Sequence, residues 1–452
     1  MTATDTIVAI ASPPGRGAVG IVRVSGPDVP RIAAAVLGDL PAPRRAVLAA
    51  FRDASAQSLD RGLALYFPAP HSFTGEHVLE LQGHGGAVVL DALVRRLLEL
   101  GCRSAAPGEF SQRAYLNGKI DIAQAEAVAD LIDAGSVAAA RAAVRSLQGE
   151  FSARIHALQS ELTELRVHVE AAIDFPDEEI PFIEDRETAK RLAHLLATFD
   201  SLQAAAQRGT RLVEGLTVVI AGKPNAGKSS LLNRLAGDAV AIVTDIPGTT
   251  RDLLRHQVLE DGIPLHLVDT AGLRTAGDAV EAEGIRRARA AMAHADRVLY
   301  LVDAAAPEPT DIEALAEQIA RLAPGVPFTL VFNKIDLAGA RAKPELDARP
   351  PRIYLSAKTG AGVDLLRAHL RACAGDFSVD AGGFSARRRH LDALARARAQ
   401  LDQAEAALRA TGAAELVAED LRLAQRALGE ITGEFSSEDL LGEIFGSFCI
   451  GK

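Results

Sequence analysis

The apolar positions change period three times along the chain. Up to about residue 117 they come in short runs, Thr6–Ala11, Gly20–Val24, Leu63–Phe67 and His77–Gln82, separated by turns rich in Gly and Pro, and such runs predict strands. Val88–Leu100 carries the helical period instead, so the first region reads as a small α+β domain. From Lys119 the texture turns Ala-rich and helical. Ile122, Val128, Leu131 and Ile132 fall on one face, and a second helical segment runs from about Val137 to Ile173. The acidic stretch Asp174–Pro181, with prolines at 176 and 181, breaks that segment, and another helix covers roughly Glu184–Arg208. Gly209 and Gly215 then lead into short apolar strands alternating with helices, the last helix being Asp364–Cys373. Helical period returns from about Ala386 to the end. The pattern predicts a multidomain chain of mixed α/β and α class. An N-terminal α+β domain covers 1–117, an α/β domain covers 212–376, and the flanking 118–211 and 377–452 are the two halves of one discontinuous helical domain. The alternative to that single helical domain is a pair of unrelated helical linkers.

The α/β region opens on a recognisable phosphate cradle. Leu216–Ala221 is apolar, Gly222 and Gly227 bracket a loop, Lys228-Ser229-Ser230 follow, and Leu231, Leu232 and Leu235 keep helical spacing. Strand, G-x-x-x-x-G-K-S, helix is the order of a P-loop, whose backbone N–H groups and helix N-terminus face a triphosphate. Asn225, Ala226, Gly227, Lys228, Ser229 and Ser230 are therefore candidate nucleotide contacts, with Lys228 on the β and γ phosphates and the Ser229 hydroxyl on Mg²⁺. Four more segments follow in order. Thr244-Asp245-Ile246-Pro247-Gly248-Thr249-Thr250 offers the Thr250 hydroxyl as a second Mg²⁺ ligand and γ-phosphate sensor. The strand Leu265–Asp269 ends in a carboxylate suited to an outer Mg²⁺ contact, and Thr270, Ala271 and Gly272 supply a hinge. Phe328–Asn333 is another strand and continues as Asn333-Lys334-Ile335-Asp336, where the acceptor-only Asp336 suits the guanine N1–H and exocyclic amine. Adenine offers no such donor pair. Ser356-Ala357-Lys358 supplies backbone donors for the guanine O6. Each tetrapeptide alone is weak, but five in order on strand ends specify a Ras-like P-loop domain that binds GTP.

Composition narrows the rest. A length of 452 residues suits about three domains. The net charge of −10 argues against non-specific nucleic-acid binding over the whole surface while leaving room for a local basic patch. Cys102, Cys373 and Cys449 have neither pairing nor metal-ligand spacing, which suits a reducing compartment. No apolar run is long enough to span a bilayer, and the start lacks the pattern of a signal peptide, so a cytoplasmic location is expected.

Two glycine motifs lose their chemistry on context. Gly15-Arg-Gly17-Ala-Val-Gly20 matches a dinucleotide fingerprint but precedes a strand, and Gln82-Gly83-His84-Gly85-Gly86 has no accompanying nucleophile elbow. Both read as tight turns. At the far end, Leu440, Leu441, Ile444 and Phe445 form an amphipathic helix before Phe448-Cys449-Ile450-Gly451-Lys452. Gly451 and Lys452 do not suit a prenylation box. Cys449 reads either as a small buried residue or as a nucleophile activated beside a lysine.

These features together resemble the MnmE (TrmE) family of bacterial tRNA-modification GTPases. The resemblance spans the chain: Asp5-Thr-Ile-Val-Ala with Pro13–Gly17, Leu79–Gly86, Pro107–Ser111, Ala114–Lys119, the five nucleotide motifs, and the Cys-Ile-Gly-Lys end. It implies an N-terminal domain that forms a homodimer and binds a tetrahydrofolate derivative (5,10-methylene- or 5-formyl-), with Arg23, Glu80, Lys119 and Lys452 lining that site. It implies a heterotetramer with the FAD-dependent flavoprotein MnmG. The two would place an aminomethyl or carboxymethylaminomethyl group on C5 of the wobble uridine, position 34, of certain tRNAs. Cys449 then matches the family's C-terminal cysteine, a catalytic candidate whose alternative role is to position the tail.

The resemblance also bears on hydrolysis. Many small GTPases place a water-orienting Gln after D-x-x-G, but here Leu273 follows Gly272, and leucine cannot orient water. In this family the role falls to a switch-region glutamate, and Glu281 occupies the matching place. Arg251 and Arg274 read as solvated or structural rather than as arginine fingers. The family's cation is K⁺, for which Asn225, the backbone carbonyls of Thr244 and Ile246, and Thr249 would be the ligands, with hydrolysis following G-domain dimerisation. Pro247 stands at a position that the family varies. Two other functions stay open on the residues alone, a GTPase acting in ribosome assembly and a protein-only regulatory switch.

Overall fold

The computed structural model describes residues 5–174, 186–237, 255–260, 263–269, 290–293, 295–306, 311–374, 383–410, 413–434, 438–449 and 451. The chain divides into two compact units. One is 1–129, 147–198 and 393–452, and the other is 130–146 and 199–392.

The first unit is built on a six-stranded sheet of order β3-β4-β5-β2-β1-β6. Its strands are β1 (Ile7–Ile10), β2 (Gly17–Ser25), β3 (Val47–Arg52), β4 (Ser58–Phe67), β5 (Val78–Gly85) and β6 (Arg103–Ser104). All neighbours are antiparallel except β1 and β6. Alternation decides which face is dry. Val22, Val24, Leu79 and Leu81 point to the side covered by the helices Val29–Leu37 and Ala87–Glu99, where Ile32, Val36, Leu93 and Leu97 complete the core. Arg23, Glu80 and Gln82 alternate with them and point to the other face. An ion network anchors the start of the chain. Buried Arg113 donates to Asp5, Glu76 and Glu109, and Arg103 donates to Asp5 and Glu109. In the helical part of this unit, the helices Glu150–Asp174 and Ala414–Thr432 are joined by Arg166 donating to Gln425 at 2.6 Å and Gln425 donating to Thr163 at 3.0 Å. Ile122, Ala125 and Ala129 pack with Ile444, Phe445 and Phe448, so the C-terminal helix Glu438–Gly446 completes an apolar cluster begun about three hundred residues earlier.

The second unit holds a seven-stranded sheet of order β12-β13-β11-β10-β7-β9-β8. Its strands are β7 (Leu216–Gly222), β8 (Arg255–Glu260), β9 (Ile263–Asp269), β10 (Arg297–Asp303), β11 (Phe328–Asn333), β12 (Lys343–Glu345) and β13 (Arg352–Tyr354). From β9 to β13 every neighbour is parallel, and only the edge pairs β8–β9 and β12–β13 are antiparallel. Val218, Ile220, Leu267, Leu299, Leu301 and Val331 form the buried centre, as expected of strands covered on both faces. The segment Phe384-Ser385-Ala386 is buried in the same unit. Ser385 N–H donates to Ala142 O at 3.2 Å, and Ser146 Oγ donates to Ser385 O at 2.9 Å.

Candidate functional site

The strand order reverses at β7. The chain runs from β7 out to β8 and β9 on one side and returns to β10 on the other. In such sheets ligands bind beyond the carboxyl ends of the strands at this switch point. The register places the motif residues there. Ile220 pairs with Asp269, Gly222 with Leu301, and Asp303 with Asn333. Beyond Gly222 the loop turns through Asn225 at φ 61° and Gly227 at φ 95° into the helix Lys228–Gly237. A Cβ on Gly227 would lie 2.2 Å from Asn333 Nδ2, so only glycine lets the Asn333 amide approach the loop this closely. Lys228 is buried, and its Nζ donates to Gly222 O at 3.0 Å and Lys223 O at 2.9 Å. The ammonium is thus held inside the loop, beside the N–H groups of the helix start. Ser229 and Ser230 are exposed on the first turn.

The loop after β7 and the segment after β13 are tied together through one asparagine. Asn333 is buried, its Nδ2 donates to Ala226 O at 2.8 Å, and its Oδ1 accepts from Ala357 N at 2.9 Å. Lys334 lies next to it at φ 66°, with Nζ 2.6 Å from Asp303 Oδ2. That hydrogen bond holds the Asp303 carboxyl below its ordinary range. Asp336 is exposed on the short helix Ile335–Ala338, away from the packing that holds Asn333. Ser356 Oγ accepts from Thr359 N at 3.2 Å, and Arg234 donates to Lys358 O at 2.8 Å, which fixes the third loop against the P-loop helix. Asn225, Ala226, Gly227, Lys228, Ser229, Ser230, Asn333, Lys334, Asp336, Ser356, Ala357 and Lys358 therefore come together at one end of one sheet, and Asp269 ends the strand beside them. Thr244, Asp245, Ile246, Pro247, Gly248, Thr249, Thr250, Thr270, Ala271, Gly272, Glu281 and Lys452 lie outside the described residues, as do Arg251, Leu273 and Arg274. Motif reading missed Asp303 and Arg234. Asp303 was findable as a carboxylate ending the apolar strand Arg297–Asp303, whereas Arg234 has no signal beyond being an arginine in the last turn of a helix.

A second cluster lies in the first unit. Arg23 and Glu80 are register partners on β2 and β5, with Arg23 Nε donating to Glu80 Oε1 at 3.0 Å and Gln82 Nε2 donating to Glu80 Oε2 at 3.2 Å. The Arg23 guanidinium stands 5.7 Å from the Phe110 ring centroid and donates to Gly451 O at 3.3 Å. Gly108 N–H donates to Cys449 O at 3.4 Å, and the Cys449 side chain is exposed. The C-terminal tail is thus held by the same arginine that holds Glu80. Lys119 is exposed and donates to Pro70 O at 3.1 Å, and among the described residues it makes no hydrogen bond to Arg23 or Glu80.

Two family profiles match the chain. GTP-binding protein TrmE N-terminus covers residues 6–119, and MnmE helical domain covers residues 122–449. The tRNA modification GTPase MnmE of Chromohalobacter salexigens is 58% identical over 458 residues, covering 100% of both chains. The protein of the same description from Methylococcus capsulatus is 58% identical over 448 residues, covering 99% of each. The chain belongs to the MnmE family. Among solved structures it is similar to the G domain of the T. maritima FeoB iron transporter, at 23% identity and a TM-score of 0.27, covering 35% of this chain and 98% of that one.

As a member of the MnmE family the chain is a GTPase, and the parts of its site divide the work. Asn333 is a strut that keeps the loop after β7 and the segment after β13 in register. The bonds from Lys228 Nζ to the loop carbonyls of Gly222 and Lys223 are ones that an ammonium can exchange for phosphate oxygens. The row of N–H groups entering a ten-residue helix suits a polyphosphate.

Proposed function

We propose that this chain hydrolyses GTP in order to drive modification of the wobble uridine of certain tRNAs. In this reading it works with the flavoprotein MnmG and takes the one-carbon unit from a tetrahydrofolate derivative. The single observation that supports this best is the second cluster. A P-loop switch alone has no use for an arginine that pairs with a half-buried glutamate and also holds the tail bearing an exposed cysteine. Arg23, Glu80, Lys119 and Lys452 would hold the folate. Cations suit its glutamate carboxylates, and Glu80 suits the donors of its pterin ring. The folate supplies the carbon, FAD stays on MnmG, and Cys449 either attacks or positions the tail. In the nucleotide site Ser229 and Thr250 would hold Mg²⁺, which neutralises charge at the phosphates. Asn225, Thr244, Ile246 and Thr249 would hold K⁺, which supplies a further positive charge there. Glu281 would orient the attacking water. The four-part division at 1–117, 118–211, 212–376 and 377–452, a homodimer through the first part, a heterotetramer with MnmG and a cytoplasmic site of action belong to the same proposal. Among the described residues no helix is long and apolar enough to cross a membrane.

Titration of the purified chain with 5-formyltetrahydrofolate tests the folate part. Saturable binding is expected, weakened at least about tenfold, or roughly 1.4 kcal/mol, in Glu80→Gln with GTP affinity kept. Absence of binding to the wild type would remove this part of the proposal. Turnover compared in K⁺ and Na⁺ tests the cation, and equal rates would exclude K⁺ as an activator.

A further inference from the structure

Arg367 joins three elements of the GTPase unit that carry its nucleotide-sensing parts. It lies on the helix Val363–Ala374, whose Leu366 and Leu370 are fully buried among Leu235, Val258 and Ile353. Its Nη1 donates to Glu260 Oε2 at 3.1 Å, and its Nη2 donates to Leu235 O at 3.3 Å. One turn later Arg371 Nη1 lies 3.6 Å from Glu260 Oε1. The Glu260 side chain is 8% exposed, so its charge is compensated by these two guanidiniums out of the solvent. Glu260 ends β8, which stands at the edge of the sheet and, among the described residues, pairs only with β9. In sequence, Thr250 precedes this hairpin by five residues and Asp269 ends it. Leu235 O belongs to the last turn of the helix Lys228–Gly237, whose first turn holds Ser229, and a cation there also suits the helix dipole.

A buried ion pair is a poor source of net stability, since two apolar side chains would hold an edge hairpin as well, but its geometry is directional. The bonds of Arg367 fix β8 against the P-loop helix along two separate vectors. We propose that Glu260 is a positioning residue for GTP hydrolysis. Through Arg367 it sets the β8–β9 hairpin, which follows Thr250 in sequence and ends in Asp269, in register with the helix that carries Ser229. Guanine recognition through Asn333 and Asp336 and phosphate holding by Lys228 do not pass through the hairpin, so nucleotide affinity and turnover separate. The proposal rests on the assignment of Thr250 and Ser229 to Mg²⁺.

The test uses the full-length chain, with GTP turnover at saturation, titration with fluorescent GDP, and thermal unfolding. Glu260→Gln and Arg367→Gln are each expected to lower kcat about tenfold, as small misplacements remote from the chemistry do, with GDP affinity within about twofold of wild type. The double variant should lose no more than either single one, because one coupling is removed in each case. Arg367→Lys keeps the charge but cannot serve Glu260 and Leu235 O together, and should lose about threefold. It carries the test if the glutamine variants do not fold. Unchanged kcat in a folded variant, or GDP affinity falling in step with kcat, would overturn the proposal. Thr250→Ala separates the two readings. If it turns over normally, the Mg²⁺ assignment fails and the proposal with it, whereas a slow Thr250→Ala beside an unimpaired Glu260→Gln overturns the proposal alone.

Discussion

At the scale of single residues, two positions of the GTPase unit make sharp predictions. A methyl group at Gly227 would meet Asn333 Nδ2 at 2.2 Å, with the backbone at φ 95°. Gly227→Ala is expected to push Asn333 off Ala226 and to weaken GTP binding by about a hundredfold or more, roughly 2.7 kcal/mol, on titration with a fluorescent analogue. Affinity kept within twofold would show the strut to be dispensable. His369 is the second position. Arg297 donates to Thr329 Oγ1 at 2.8 Å, and Thr329 Oγ1 shares a hydrogen bond of 2.9 Å with His369 Nε2. Burial first, and the Arg297 charge second, push the imidazole down from 6.5 to about 4. The folded state therefore binds fewer protons than the unfolded state. The resulting stability is complete above pH 6.5 and is lost as pH falls towards 4, by up to about 3 kcal/mol. Melting temperature measured from pH 7 to 4.5 should fall more steeply for wild type than for His369→Gln, and parallel curves would contradict the assignment. Asn333 and Lys228 were legible in the sequence because strand-end motifs announce them. Arg234, Arg367 and Glu260 were not, because a single charge outside a motif has no period and its partner lies far away in sequence.

At the scale of elements, glycine has to be read by what approaches it. Its low helix propensity places the end of a helix at Arg208, yet the helix Arg186–Glu214 continues through Gly209. The reason is close approach, since a Cβ there would lie 2.2 Å from Phe384 O. Gly209→Ala pits a propensity gain of about 1 kcal/mol against that clash with a backbone carbonyl. The clash is expected to win, giving a net loss of about 1–2 kcal/mol in urea unfolding, and a stabilised variant would show that the two segments yield easily. The opposite error occurs between Val137 and Ile173. Apolar period alone predicts one segment, but Gly149 at φ 87° separates the helices Val137–Leu147 and Glu150–Asp174. Strand β3 gave no signal because only Phe51 of Val47–Arg52 is buried, and its register is set by pairing with β4. By contrast β1, β5, β7, β9 and β11 are short, apolar and bounded by turn residues, and the pattern places them within a few positions.

At the scale of the molecule, a match to MnmE relatives over the whole chain joins two sets of chemistry that a GTP-binding switch would not need together. One unit holds the nucleotide loops, and the other holds Arg23, Glu80 and the tail with Cys449. The nucleotide function was legible from five motifs in order. The docking of the tail was expected only through the resemblance, which puts Lys452 in one site with Arg23, since no local pattern encodes the contact between Arg23 and Gly451. The most direct test of GTP-driven tRNA modification is mass spectrometry of tRNA nucleosides from a strain lacking this gene, restored with the wild type or with Gly227→Val. The modified wobble uridine is expected to disappear without the gene, to return with the wild type, and to stay absent with the variant. Its persistence in the strain without the gene, or its return with Gly227→Val, would contradict a modification driven by GTP hydrolysis on this chain.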